Sequence, residues 1–490
     1  MDDREAAQSS GPPRFRFPDG ELRSAAMLGD VTDRSVRVWV RDPGGSAQAS
    51  LVVGGEEVAS QDVGIDAAHD SIGVAVLSPS EPRPGAPFEV RVGERTLSHR
   101  FAPLEGAPAG FSFAFGSCHQ PFDPAANDGS LHLQPAARIY PLIHRLLAAR
   151  GAAFALWLGD QVYSDGVSEL SVRERMAQDR SITDEQLLDT YRHLYRGYFN
   201  ETGYRRLAEA LPAYLMWDDH DIFDGYGSLL DQSEFDGRIY RAARAAYVEY
   251  QHARNPEGAL DARSPFGYSF WHGDVGFHVP DLRGERDFHA GRVLGDAGWA
   301  KLDRFLAEAS ERGVPTIFIG LSVPLVHASP AIMSALERVK AGFGRDVRDR
   351  WSVPAFAAQR TMLLERLFGW QSERRRRQVI VLSGDVHVGA AFNVRALRSA
   401  GHFSQWTSSA LSTPVGPKHA MANRVITTAV RLGERELRVW RRGLATRNNV
   451  GLVTVAPADG GGHEVVLEIH ELRPDGERLA VALRDAALPR

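Results

Sequence analysis

Four apolar runs of similar length each end in a residue that can carry chemistry, and this repetition limits the fold more than any other feature of the chain. Residues 111–119 read Phe-Ser-Phe-Ala-Phe-Gly-Ser-Cys-His and residues 155–165 read Ala-Leu-Trp-Leu-Gly-Asp-Gln-Val-Tyr-Ser-Asp. Residues 213–221 read Ala-Tyr-Leu-Met-Trp-Asp-Asp-His-Asp and residues 379–387 read Val-Ile-Val-Leu-Ser-Gly-Asp-Val-His. Short apolar runs stopped by Gly or a polar cluster are expected as strands buried on both faces, the kind that build parallel sheets. In open α/β sheets, ligands gather at the carboxyl ends of such strands. One Gly-Asp after one strand is an ordinary turn. Four strand ends delivering Asp, His or Cys predict a shared site.

A chain of 490 residues is long enough for two domains and a large core. Lys plus Arg is 57 and Asp plus Glu is 62, a formal charge of -5. That balance argues against a whole-protein nucleic-acid or membrane-surface role. Cys118 is the single cysteine, so no disulfide forms within the chain. Residues 1–16 are polar, with no apolar signal core and no twin-Arg pair before one, and no run approaches the roughly 18 apolar residues of a membrane helix. These features predict a cytoplasmic protein without a membrane span.

Along the chain, residues 1–20 predict a disordered leader rich in Ser, Pro and charge. Residues 21–103 alternate short strands with Pro-Gly and Gly-Gly turns, which predicts an antiparallel β-sandwich resembling fibronectin or immunoglobulin modules. A proline-rich linker leads into an α/β domain over residues 111–490. Residues 172–210 and 331–377 predict helical insertions into it, the first a candidate lid.

The residue types at the strand ends suit two metal ions a few ångströms apart. Asp160 is placed to bridge them. Cys118 and Tyr163 suit one ion, where a thiolate with a phenolate favours Fe(III) and also admits zinc. Asp219 and Asp385 suit the other, where oxygen donors point to Ca, Mg or Mn. His387 fits either. His220, next to Asp219, suits a general acid, with Asp221 or Asp218 orienting its ring. His327, beyond a further buried strand, is a weaker candidate, and the run Arg374 to Arg377 reads as a solvated helix end.

Taken together, Gly116-Ser-Cys118, Gly159-Asp-Gln-Val-Tyr163, Trp217-Asp-Asp-His-Asp221 and Ser383-Gly-Asp-Val-His387 resemble the motifs of the PhoD-like (alkaline phosphatase D) metallophosphatases, within the calcineurin-like and purple acid phosphatase class. Pro280-Asp-Leu-Arg283 is similar to a Leu-Asp-Thr-Arg element of that family, and Asn448 and Asn449 to its Asn-rich turn. The resemblance spans about residues 111–455. It implies a four-layer α/β/β/α domain behind the sandwich, and hydrolysis of phosphomonoesters or phosphodiesters by metal-bound hydroxide. It implies Fe(III) plus Ca, with Mn, Mg or Zn as alternatives, and metal-ligand roles for Cys118, Asp160, Tyr163, Asp219, Asp385 and His387. Arg283 is then a candidate catalytic residue, its guanidinium matching phosphate oxygens, with a structural salt bridge as the alternative. The expected substrate is a small-molecule phosphate ester. A large nucleic-acid or phospholipid substrate and a non-catalytic phospho-ligand module remain the alternatives, and no basic patch marks nucleic acid. Asp221 stands where the family usually has Glu, and residues 219–227 depart from the Asn-rich run of its secreted members.

Overall fold

Period-two alternation places Val36, Val38 and Val40 on the buried face of a strand, Val36–Arg41. That strand belongs to the N-terminal part of the computed structural model, which describes residues 14–124, 129–165, 171–229, 233–337 and 348–488. The N-terminal strands are β1 (Ala25–Val31), β2 (Val36–Arg41), β3 (Ala47–Val53), β4 (Glu56–Val63), β5 (Ile72–Leu77), β6 (Pro87–Val92) and β7 (Arg95–Arg100). One antiparallel sheet runs β1-β2-β5 and the other β4-β3-β6-β7. They close over Leu28, Val38, Leu51, Val90 and Leu97, which makes a sandwich. It sits on the larger domain through Trp39, whose indole N–H donates to the Glu249 carbonyl at 2.7 Å, and through Asp70, which accepts from Arg41 and Arg196 at 3.0 Å.

The described end of the expected disordered leader is packed against the larger domain. Residues 1–13 lie outside the described residues, but Phe15 and Phe17 are buried. The Phe17 ring lies 5.2 Å from those of Phe122 and His193, so two aromatic side chains anchor the segment.

Beyond the sandwich the strands are β8 (Phe111–Gly116), β9 (Phe122–Pro124), β10 (Leu131–Leu133), β11 (Ala155–Leu158), β12 (Ala213–Met216), β13 (Tyr268–His272), β14 (Val275–Val279), β15 (Thr316–Leu321) and β16 (Gln378–Ser383). Then follow β17 (Gly389–Ala396), β18 (His402–Thr407), β19 (Leu437–Ala445), β20 (Asn449–Pro457), β21 (His463–Leu472) and β22 (Leu479–Ala486). A six-stranded sheet has the order β12-β11-β8-β20-β21-β22 and a seven-stranded sheet the order β13-β14-β15-β16-β18-β17-β19. β11 is parallel to β8 and β12, and β14, β15, β16 and β18 run parallel in the other sheet. Phe113, Phe277 and Phe318 meet between the sheets at centroid distances of 4.9–5.3 Å. Ile317 and Ile319 point the other way, onto a layer holding helices Asp296–Glu311 and Ala357–Ser372. Helix Ile139–Arg150 packs outside the six-stranded sheet, which completes an α/β/β/α stack.

Residues 172–210 are helical, at Val172–Gln178, Asp184–Phe199 and Thr202–Ala210, yet they do not form a loose lid. Tyr191, Tyr195, Phe199 and Tyr204 are fully buried, and Tyr195 donates to Asp221 at 3.2 Å, so this layer braces the loop after β12 from behind. Of the second insertion, helices Pro330–Glu337 and Ala357–Ser372 are present, and residues 338–347 lie outside the described residues. Helix Pro417–Thr428 and strands β19 and β22 have no counterpart in the sequence reading.

Candidate functional site

Parallel pairing brings the carboxyl ends of β8, β11 and β12 side by side, with those of β15, β16 and β18 facing them across the sheet interface. After β8, β11, β16 and β18 the chain turns through left-handed backbone. Cys118, Asp160, Asp385, His387 and Ala410 have φ of 64°, 54°, 69°, 55° and 63°. Left-handed backbone is costly for residues with a Cβ and gathers at functional sites. Two glycines permit the approach. Gly159 has φ 102°, and a Cβ there would lie 2.6 Å from that of Asp218. A Cβ on Gly384 would meet the Ser117 hydroxyl at 2.5 Å and the Leu158 carbonyl at 2.6 Å.

Asp160 is at the centre. Its Oδ2 accepts from the Cys118 thiol at 3.2 Å and the Tyr163 hydroxyl at 3.3 Å. Its Oδ1 is buried and has no hydrogen-bond donor. One donor atom each from Asp160, Asp219 and His220 lies within 4.8 Å of the others. Burial and the neighbouring Cys118 push the Asp160 carboxyl well above its usual range, and burial with Asp160 raises the Tyr163 phenol likewise. A buried carboxylate with an open oxygen, beside two further donors, fits a cation. Asp385 and His387 reach the same rim through their backbone: the Asp385 N–H donates to Ser117 Oγ and the His387 N–H to Ser409 Oγ, both at 3.0 Å. The Asp385 carboxylate is paired with the Arg350 guanidinium.

His220 stacks on Tyr163 with centroids 4.2 Å apart, and its Nδ1 lies 2.7 Å from Asp165 Oδ1. Burial alone would lower the imidazole pKa, but Asp165, Asp219 and Asp160 overrule it and hold the ring well above its ordinary value. Asp165 therefore orients the ring, not Asp221 or Asp218. Asp221 faces away: it accepts from the backbone N–H of Asp218 and Gln161 and from Gln251 Nε2, and burial raises it to about 7. Its role is to shape the loop after β12. Asp218 accepts from Ser322 at 2.9 Å and from Arg283.

Arg283 holds carboxylates of the protein, not a substrate phosphate. It is fully buried, with its guanidinium shared among Asp218, Asp219 and Asp349; the two bonds to Asp349 are 2.7 Å. No N–H is left over for a phosphate, because Nη1 also donates to the Tyr226 carbonyl at 3.1 Å. It fixes Asp219 in place. Arg377 likewise departs from a solvated helix end: it is buried over the Trp370 ring at 4.4 Å.

Several site residues carried no sequence signal. Residues 408–413, after β18, form a fifth strand end. Ser409 Oγ lies 3.1 Å from the Cys118 sulfur, and Thr413 Oγ1 lies 3.1 Å from the Tyr163 hydroxyl. Asn449 donates to the Ser409 carbonyl at 2.6 Å and Asn448 to the Thr413 carbonyl at 2.8 Å, which pins that loop. Asp349 and Arg350 come from the second insertion. His327 is buried, with Nε2 2.7 Å from Asn423 Oδ1, and Asn423 Nδ2 is 2.8 Å from His419. The His419 ring stands 5.4 Å from that of His387, so His327 approaches the rim through two intermediaries. Burial lowers its pKa to about 3.

The PhoD-like phosphatase profile matches residues 134–440. Alkaline phosphatase D of Bacillus subtilis is 22% identical over 306 residues, which are 60% of this chain and 48% of that protein. The chain thus spans about half the length of that curated relative. Among solved structures, that of PhoD superposes with a TM-score of 0.67 at 15% identity, covering 99% of this chain and 91% of that one. Purple acid phosphatase PPD1 from yellow lupin (Lupinus luteus) seeds superposes at 0.56 with 11% identity, covering 97% and 75%. At such identities the likeness is one of fold. With the profile covering well over half its residues, this chain belongs to the PhoD-like phosphatase family.

Proposed function

We propose that this chain hydrolyses small phosphate esters, mono- or diesters, at the rim built around Asp160. The observation that carries the proposal is the buried Asp160 carboxylate, with one oxygen open and Asp219, His220, Cys118 and Tyr163 around it. Cys118 and Tyr163 would hold one cation and Asp219 and Asp385 another, with Asp160 between them and His387 completing either. The donor chemistry fits Fe(III) with Ca, and admits zinc, manganese or magnesium. Such ions supply Lewis acidity at the phosphoryl oxygens and acidify water.

The protein's own groups do the rest. With Nδ1 committed to Asp165, His220 presents Nε2 as the proton donor to the departing ester oxygen. The P–O bond to the leaving group breaks as water oxygen bonds to phosphorus. The alcohol leaves with the imidazole proton, and the ring recovers one from solvent. Stacking on Tyr163 holds the ring in that orientation. Arg283 keeps Asp219 fixed. Arg350, already at the Asp385 carboxylate, is the guanidinium placed to meet a phosphate oxygen.

The test is direct. Protein reconstituted with Fe and Ca is assayed on nitrophenyl phosphate and its bis-ester, beside elemental analysis. Turnover of at least one ester with about two metal equivalents per chain is expected. A fully loaded protein that binds phosphate yet turns over neither ester would mean a silent phospho-ligand scaffold instead.

A further inference from the structure

Helix Pro417–Thr428 has two unlike faces. Asn423 and Thr427 are buried, and His419 turns toward His387. On the outer side, Met421 is 68% exposed, Val425 62% and Leu432, in the turn that follows, 55%. Met421 and Val425, four residues apart, share one face of the helix, and Leu432 adds a third exposed apolar side chain just beyond its end. Lys418, Arg424, Arg431 and Arg435 are exposed around it. None of these four cations has an ion-pair partner among the described residues. The sequence reinforces the pattern. No Asp or Glu stands between Asp385 and Glu434, in a chain with 62 of them among 490 residues.

We propose that this face docks on an anionic phospholipid surface. An apolar stripe edged by cations matches a bilayer boundary, where the stripe enters the acyl region and the cations stay at the headgroups. A nucleic acid or other polyanion would satisfy the cations but give Met421, Val425 and Leu432 nothing to bury against, since single strands are gripped by aromatic stacking. The net charge of -5 does not oppose this, because the Debye length of about 10 Å at 0.1 M salt confines the interaction to the local patch. The proposal goes beyond the hydrolytic reading, and its readout is binding, so the two stand or fall separately.

The experiment is flotation of the full chain with vesicles of phosphatidylglycerol in phosphatidylcholine, and with phosphatidylcholine alone. Binding only to the anionic vesicles, weakened at about 0.5 M salt, is expected. In Met421→Asp/Val425→Asp the partition coefficient should fall roughly tenfold or more. Its melting temperature and its turnover of a soluble nitrophenyl ester should be unchanged. A Met421→Trp chain should shift its emission to shorter wavelength on adding anionic vesicles. Absence of flotation with anionic vesicles overturns the proposal. So does equal binding by the double aspartate variant, or binding to heparin or single-stranded DNA that this variant leaves intact, which would assign the face to a polyanion.

Discussion

His220 and Arg283 are the two residues on which a physical reading is most sharply tested. If His220 protonates the leaving oxygen, His220→Asn should lower kcat on alkyl phosphate esters by about 10²- to 10⁴-fold. Esters of acidic phenols, which need no proton to leave, should be far less affected. Asp165→Asn should show the same leaving-group pattern more weakly, because the ring loses the carboxylate 2.7 Å from Nδ1. Arg283→Met should fail differently. It leaves Asp218, Asp219 and Asp349 buried around an uncharged side chain, and should cost about 3–5 kcal/mol in urea unfolding. A variant of normal stability with only a raised KM would instead return Arg283 to the phosphate. The sequence could not decide between these roles, because the deciding partner, Asp349, lies in the second insertion and has no motif of its own.

At the scale of elements, the loop of residues 408–413 is the part of the site that the sequence conceals. The four strand ends were legible because an apolar run and a metal-type donor stand next to each other in the chain. This fifth one offers hydroxyls and carbonyls only, and those acquire meaning when Asn448 and Asn449 arrive from the start of β20. Asn449→Ala should cost about 1–3 kcal/mol by leaving buried carbonyls without a donor. It should also lower retained metal, measured by elemental analysis after dialysis, since Ser409 stands against both Cys118 and the His387 backbone. Unchanged metal content would detach this loop from the site. Helix Pro417–Thr428 escaped notice for a different reason. Its inner face is Asn423 and Thr427 rather than leucines, so its periodicity is faint in sequence.

For the molecule as a whole, acid is the informative variable. Burial holds His119, His272, His278 and His327 down to about 3 and His252 to about 4. The unfolded chain binds those protons below about pH 6.5, so this stability is complete above that pH and is lost on the way to the folded values. In metal-free protein Asp160, Asp218 and Asp221 act oppositely. Burial raises them, Asp221 to about 7, so their ionisation removes stability as pH rises from about 4. Cations on the rim would hold Asp160 ionised and remove its share of that opposition. The loaded protein should therefore lose melting temperature more steeply between pH 7 and pH 4 than the stripped one, and parallel curves would contradict a metal at Asp160. The pairing of β8 with β20, Gly451 beside Phe115, has a last consequence. A growing polypeptide on the ribosome holds all four donor-bearing strands well before β20, the second of the two neighbours of β8, exists. On the proposed metal reading, loading would wait for β20 to be made, and a nascent chain stalled short of Asn449 should emerge metal-poor and easily proteolysed however complete its motifs look.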